Sequence, residues 1–349
     1  MDWSIVLTFA IVLGILFLIV QACSWFTNGI EWTGKRFNLS EGAVGSVLAA
    51  VGTALPETLV PIVALLAAFM SPATVSHEAS QAIGIGAILG APFLLSTLAM
   101  FVTGVAVLYF HRKGRRSLSI KINEHLFKRD LIYFFAAYAI VVLACWIPDM
   151  TIKRLIAVGL IAFYGSYVYR TIRKEHVSDS DFDIEPLILS PKASEPATGL
   201  ILFQVFLSLL GIIVLAHFFV EQISHLSVYF GIDPLVVSLI ICPIATELPE
   251  KFNSVVWLGE RKDVMAYGNI TGAMVFQSMI PPSVGLAFTP WVLNAHGFLS
   301  IILCFISSAI IFIGVSLTRE HPKARVALFL MGGLFYLIFL ISTLYSVGF

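Results

Sequence analysis

Long apolar runs alternate with short polar stretches along the whole chain. Runs long enough to cross a hydrocarbon layer, about 20 residues at 1.5 Å rise, fall near 3–23, 41–70, 79–110, 131–148, 152–170, 199–219, 233–258, 264–288, 297–318 and 325–346. The pattern predicts an all-α membrane protein with ten transmembrane helices. The run at 4–22 has no basic residue before it and no small-residue cleavage signal after it, so it reads as the first span rather than a leader. One long polar stretch, about 171–198, holds Asp179, Asp181, Asp183, Glu185 and Glu195 with Pro186, Pro191 and Pro196 and has no helical period. It reads as a linker and divides the chain into 1–172 (spans one to five), a linker at 173–198, and 199–349 (spans six to ten).

Composition agrees: 58% of the 349 residues are hydrophobic and 12% charged, against about 25% charged in soluble domains. A formal net charge of +0 leaves no electrostatic case for a nucleic-acid partner. Charge placement carries more information. With the N-terminus outside, the connections after spans one, three, five, seven and nine hold eighteen of the 21 basic residues. The opposite connections hold only Lys153 and Arg154, and Lys251 lies within a span. By the positive-inside rule the linker is cytoplasmic and both chain ends are external, in a cell (plasma or inner) membrane. Cys23, Cys145, Cys242 and Cys304 lie in apolar stretches without metal or redox spacing and read as packing residues.

The halves repeat. Phe37, Val44, Thr53, Leu55, Pro56 and Glu57 recur at a constant offset of 193 as Phe230, Val237, Thr246, Leu248, Pro249 and Glu250. Ser40 and Asp233 take matching helix-start positions, each a good N-cap. Farther on, Gly86, Gly90 and Ser96 match Gly268, Gly272 and Ser278 at an offset of 182. An odd number of spans per half sends the second copy into the membrane from the opposite face. The expectation is two inverted five-helix repeats, with a site near the midplane at interrupted helices, here the second and seventh.

The candidate chemistry sits at those interruptions, Thr53-Ala54-Leu55-Pro56-Glu57 and Thr246-Glu247-Leu248-Pro249-Glu250. A proline inside a helix frees the carbonyl four residues back, that of Gly52 or Ala245. At membrane depth such carbonyls are tolerated only beside protein or a hydrated cavity, where they serve as oxygen ligands. An ionised Glu at the bilayer centre costs at least ~2.5–3.5 kcal/mol, so Glu57 and Glu250 stay protonated or take a cation between them. Thr53 and Thr246, four residues earlier, share the glutamate's helical face. Carboxylate, hydroxyl and carbonyl oxygens suit Ca²⁺. Glu247 and Lys251 are four apart in the favourable order for an ion pair. They read either as a self-neutralising buried pair, or as a lysine standing in for one bound cation while Glu247 joins the ion site.

GTALPE at 52–57 and ATELPE at 245–250, each followed by a Gly-x-x-x-Gly-Ala block, resemble the two α-repeats of the sodium/calcium exchanger (cation/calcium antiporter) family. The resemblance implies that Glu57 and Glu250 are the principal Ca²⁺ ligands, that Thr53 and Thr246 add oxygens, and that the carbonyls of Ala50 and Pro243 line the sites. It implies Na⁺ or H⁺ as counter-ion. The chain departs from the family pattern where hydroxyls are usual, holding Ala54, Glu247, Ala91 and Ala273, and where Asn or Asp is usual, holding Leu95 and Gln277. Gln277 stays a candidate ligand.

The expected activity is secondary active antiport of Ca²⁺ against Na⁺ or H⁺ by alternating access. The expected partners are inorganic cations and the bilayer, with no resident cofactor, no nucleic acid and no protein partner. Alternatives are an antiporter for Mg²⁺, Mn²⁺ or K⁺, an intramembrane dicarboxylate enzyme, and an ion-sensing scaffold. The repeat argues against an enzyme, whose acid and base need different environments.

Overall fold

Local signals set the helix ends in the computed structural model, which describes residues 3–36, 55–70, 76–174 and 185–347. Helices α1 (Trp3–Arg36), α2 (Leu55–Met70) and α3 (His77–Leu94) open the chain. A π-helical turn at Leu95–Ala99 joins α3 to α4 (Met100–Arg112), and α5 (Glu124–Leu143) and α6 (Met150–Lys174) follow. The second half holds α7 (Thr198–Phe230), α8 (Pro234–Gly259), α9 (Asp263–Gln277), α10 (Ile280–Phe288), α11 (Ala295–Leu317) and α12 (Arg325–Val347). Gly231, at φ 62°, ends α7 in the left-handed region that glycine adopts without strain. Asp233 then caps α8, accepting from the Leu235 N–H at 2.8 Å with Pro234 in the first turn. The Asp233 cap is as expected; its counterpart Ser40 lies outside the described residues.

Every described element is helical, and eight helices are long and apolar enough to span a membrane. Helix α2 and the apolar start of α8, Pro234–Ile244, fall below that length. They stand where the second and seventh spans are expected. In α8 the charged residues Glu247, Glu250 and Lys251 interrupt the apolar run.

The continuity of α8 departs from expectation. The seventh span was expected to break at Thr246–Glu250, yet α8 is one helix from Pro234 to Gly259. Pro249 removes one backbone hydrogen bond, a cost of about 3 kcal/mol. Side chains bridge the same turn: Lys251 Nζ lies 3.5 Å from Glu247 Oε2, straddling the proline. The second span before Leu55 lies outside the described residues. Interruptions fall instead in the third and eighth spans, at the π-turn and at Ser278–Met279 between α9 and α10. Leu95 and Gln277, which mark these two places, are separated by the same offset of 182 that relates the glycines.

Packing places the third and eighth spans at the centre. Their most apolar windows are 61% and 72% buried, against 28% for α1 and α7. Helices α1 and α7 pack on each other, and α8 packs along α3. The third span packs on α11 and α12, while the eighth packs on α5 and α6. One apolar cluster joins α1, α2 and α7 to α3 and α8, and a larger one fills the remainder.

The described connections meet one another in groups. The loops after α4, α8 and α11 interlock through a buried Arg116–Asp263 pair at 2.7 Å, an Arg325–Glu124 pair at 2.9 Å and the Ile120 N–H donating to the Pro322 carbonyl. The end of α1 meets the linker, where Trp32 Nε1 donates to the Glu185 carbonyl at 2.9 Å. The connections after α5 and α10 also meet, with Lys153 Nζ donating to the Pro290 carbonyl. Odd connections therefore pair with odd, and even with even.

Candidate functional site

Helix α8 reaches the centre because α3 presents no side chain where the two cross. A methyl group at Gly86 would overlap the Leu235 carbonyl and the Ser238 hydroxyl; one at Gly90 would overlap the Leu239 carbonyl and the Pro243 ring. Small residues allow this approach between membrane helices. Ser238 Oγ fixes the register by donating to the Ile83 carbonyl at 2.8 Å. The polar turn that begins at Thr246 follows in α8, which also packs against α9.

The described side chains of that turn are enclosed. Thr246, Glu247, Lys251 and Gln277 are each 1–3% exposed. Thr246 Oγ1 donates to the Cys242 carbonyl at 3.1 Å, which leaves its oxygen lone pairs as acceptors for a donor or cation. Gln277, the last residue of α9, donates from Nε2 to Glu247 Oε1 at 2.9 Å. The other carboxylate oxygen faces Lys251 Nζ at 3.5 Å. Gln277 Oε1 is buried without a hydrogen-bond partner among the described residues, an acceptor whose desolvation calls for a donor, a water or a cation. Breaking a buried pair of this kind by removing one partner costs about 3–5 kcal/mol.

The expected site residues thus separate. Glu247 and Gln277 come together, with Lys251, at the break between α9 and α10. Thr246 precedes Glu247 on α8, and Pro243 lies one turn earlier, packed on α3. Ala50 and Thr53 lie outside the described residues. For Glu57 and Glu250 the structure describes the helical backbone alone, in the first turn of α2 and beside Lys251 in α8. Asn269, polar and close in sequence, ties helices together: its Nδ2 donates to Ser254 Oγ at 3.1 Å.

Sequence reasoning passed over a second buried carboxylate. Asp130 accepts from Tyr167 at 3.1 Å and Arg129 Nη2 at 3.0 Å on one oxygen, and from Thr271 at 2.8 Å on the other. Arg129, Asp130, Tyr167, Asn269 and Thr271 line a cavity of about 390 Å³ between α5, α6 and α9. In sequence Asp130 looks like a solvated charge at a span's start; the available signal was the aromatic run that follows at once.

Two carboxylates buried in helices of a membrane protein, Glu247 and Asp130, suit a cation pathway, and comparison with known proteins places the fold. The sodium/calcium exchanger protein family matches residues 7–173 and again residues 200–348. The chain belongs to that family. The family is one of exchangers, not enzymes, which removes the intramembrane dicarboxylate enzyme. Within it, the Alkalimonas amylolytica protein named "Putative antiporter CaxA" is 25% identical over 298 residues, covering 83% of each chain. The solved H⁺/Ca²⁺ exchanger CAX shares the fold at a TM-score of 0.65 and 15% identity, over 97% of this chain and 91% of that one. The sodium-calcium exchanger NCX_Mj shares it at a TM-score of 0.51 and 19% identity, over 97% and 99%.

Proposed function

We propose that this exchanger moves Ca²⁺ against Na⁺ or H⁺ by alternating access, with Glu57 and Glu250 facing one midplane ion. The observation that carries the reading is the enclosed polar turn at Thr246–Lys251, capped by Gln277 at a helix break. Ionisable residues buried in spans, paired or not, are costly to keep there and mark ion pathways. Thr53, Thr246 and the carbonyls of Ala50 and Pro243 complete the oxygen set that a hard cation takes. Ions are the substrates, and the protein needs no other cofactor.

The same reading divides the chain into repeats at 1–172 and 199–349 joined by a cytoplasmic linker at 173–198, with ten spans and both ends external. Its support is the family's double match, the matching positions of Leu95 and Gln277, and the exchanged packing of the third and eighth spans. Uptake of radioactive Ca²⁺ into proteoliposomes under imposed Na⁺ or H⁺ gradients tests the transport. Gradient-driven uptake is expected. Uptake of Mg²⁺, Mn²⁺ or K⁺ in place of Ca²⁺ would reassign the cation, and no uptake of any would overturn the reading.

A further inference from the structure

The polar turn holds one more fixed charge than a simple cation site needs. By sequence the turn carries Glu247, Glu250 and Lys251, and the transport reading adds Glu57 of α2. Both oxygens of Glu247 have partners, Oε1 the Gln277 amide at 2.9 Å and Oε2 the Lys251 ammonium at 3.5 Å. Glu247 and Lys251 sit one turn apart on a single unbroken helix, so the two charges travel together whichever way α8 moves. Both are almost wholly removed from solvent, so water does not screen one from the other.

Building on the transport reading above, we propose that Lys251 is a tethered counter-cation that cancels Glu247. Two carboxylates, Glu57 and Glu250, are then left to the transported ions. Their charge of minus two equals that of one divalent ion or two monovalent ions. Loaded either way the site is neutral, and one divalent ion exchanges for two monovalent ions without net charge movement. An unmatched Glu247 would give the site a third negative charge. Loaded with one divalent ion such a site carries minus one, loaded with three monovalent ions it is neutral, and a cycle that exchanges the two moves one net charge. Lys251 acts here through charge balance, not by touching the transported ion.

The test uses the purified full chain in proteoliposomes, with ion gradients fixed and the membrane potential clamped by K⁺ and valinomycin. The readout is the radioactive Ca²⁺ distribution ratio at equilibrium. In the wild-type protein the ratio is expected to be the same at zero and at inside-negative potential. Lys251→Gln, moving one net charge per cycle, should shift its ratio tenfold for about 59 mV. A merely structural lysine would alter the rate and leave this ratio alone. Should Lys251→Gln not transport, Lys251→Arg and the pair Glu247→Gln with Lys251→Met both conserve the charge sum and must be insensitive to potential. A voltage-dependent ratio in the wild type, in Lys251→Arg or in the double variant overturns the inference while leaving the transport reading intact. So does a voltage-independent ratio in Lys251→Gln. Wild-type protein that exchanges no Ca²⁺ overturns both.

Discussion

Gln277 closes over Glu247: the amide at the end of α9 donates at 2.9 Å to a carboxylate on α8, thirty residues away in sequence. The contact joins the break between α9 and α10 to the proline turn of α8, so the two irregular places share one side-chain bond.

That bond and the Glu247–Lys251 pair set an order of stabilities. Lys251→Met leaves a buried carboxylate without its cation and should destabilise the protein by about 3–5 kcal/mol. Gln277→Leu removes one hydrogen bond to a charged group, about 1.5–3 kcal/mol. Glu247→Gln with Lys251→Met should be milder than Lys251→Met alone, because no charge is left unmatched. Unfolding in detergent, followed by denaturant, measures all three. Lys251→Met as stable as the wild type would contradict the buried pair.

The prolines and glutamates that recur between the halves give the second prediction. Glu57→Gln and Glu250→Gln should each reduce divalent-cation exchange at least a hundredfold. Loss of one charge-assisted ligand at about 3 kcal/mol corresponds to two decades. Both proteins should stay folded, as judged by gel filtration in the same detergent. Wild-type exchange by either variant would remove that residue from the shared site.

The α3–α8 crossing gives the third. Gly90→Val puts branched carbons where the Leu239 carbonyl and the Pro243 ring already lie. Backbone cannot yield as a flexible side chain does, so the cost should be at least about 1–3 kcal/mol. Gly114→Ala is the control, for nothing lies within 4 Å of a methyl group there, though its φ of +71° adds backbone strain. Thermal stability should fall more for Gly90→Val. The reverse order would mean that the helices do not approach through Gly90.

Topology is the fourth. A cysteine at Ser180, in an otherwise thiol-blocked protein, should resist an impermeant thiol reagent applied to intact cells and react after lysis. The basic residues and the grouping of odd connections both argue for this. Labelling from outside would invert the orientation.

Much of this architecture is legible in the sequence because a bilayer imposes few choices. Apolar length gives the eight membrane-length helices found among the described residues, and the Arg116–Asp263 and Lys153–Pro290 contacts join connections that the 18-to-2 split of basic residues also groups together. The Asp233 cap was visible for a similar reason, since its chemistry is local. The breaks were not. Proline reads as an interruption wherever it occurs, but whether a helix yields depends on what spans the gap. At Pro249 the Glu247–Lys251 pair spans it, and α8 continues. Past Pro92, side chains of α11 take the loosened carbonyls: Cys304 donates to that of Pro92 at 3.4 Å and Ser307 to that of Ser96 at 2.6 Å. Those partners lie more than 200 residues away, and a one-dimensional pattern cannot supply them.

The last prediction concerns the coupling ion, and the missing hydroxyls argue it. A sodium site in a low-dielectric interior needs several neutral oxygens, because each lost hydration contact must be replaced. Ala54, Ala91 and Ala273 offer none from their side chains, and Leu95, fully buried at the π-turn, replaces a polar group with an apolar one. Gln277 still offers its amide oxygen, which has no hydrogen-bond partner among the described residues, but it is a single neutral ligand in the second half. The first half is the poorer of the two, with no side-chain oxygen at any of its three departing positions. Protons need no such shell, since a carboxylate accepts one directly. Ca²⁺ release from loaded proteoliposomes should therefore follow an imposed pH gradient in the complete absence of Na⁺. An equal Na⁺ gradient at matched pH should drive it at most a tenth as fast. Restoring oxygens in the first half, with Ala54→Ser and Ala91→Ser together, should raise the Na⁺-driven rate and leave the Ca²⁺ affinity within a few-fold. Release that follows Na⁺ alone and ignores the pH gradient would show that backbone carbonyls or water replace the absent hydroxyls.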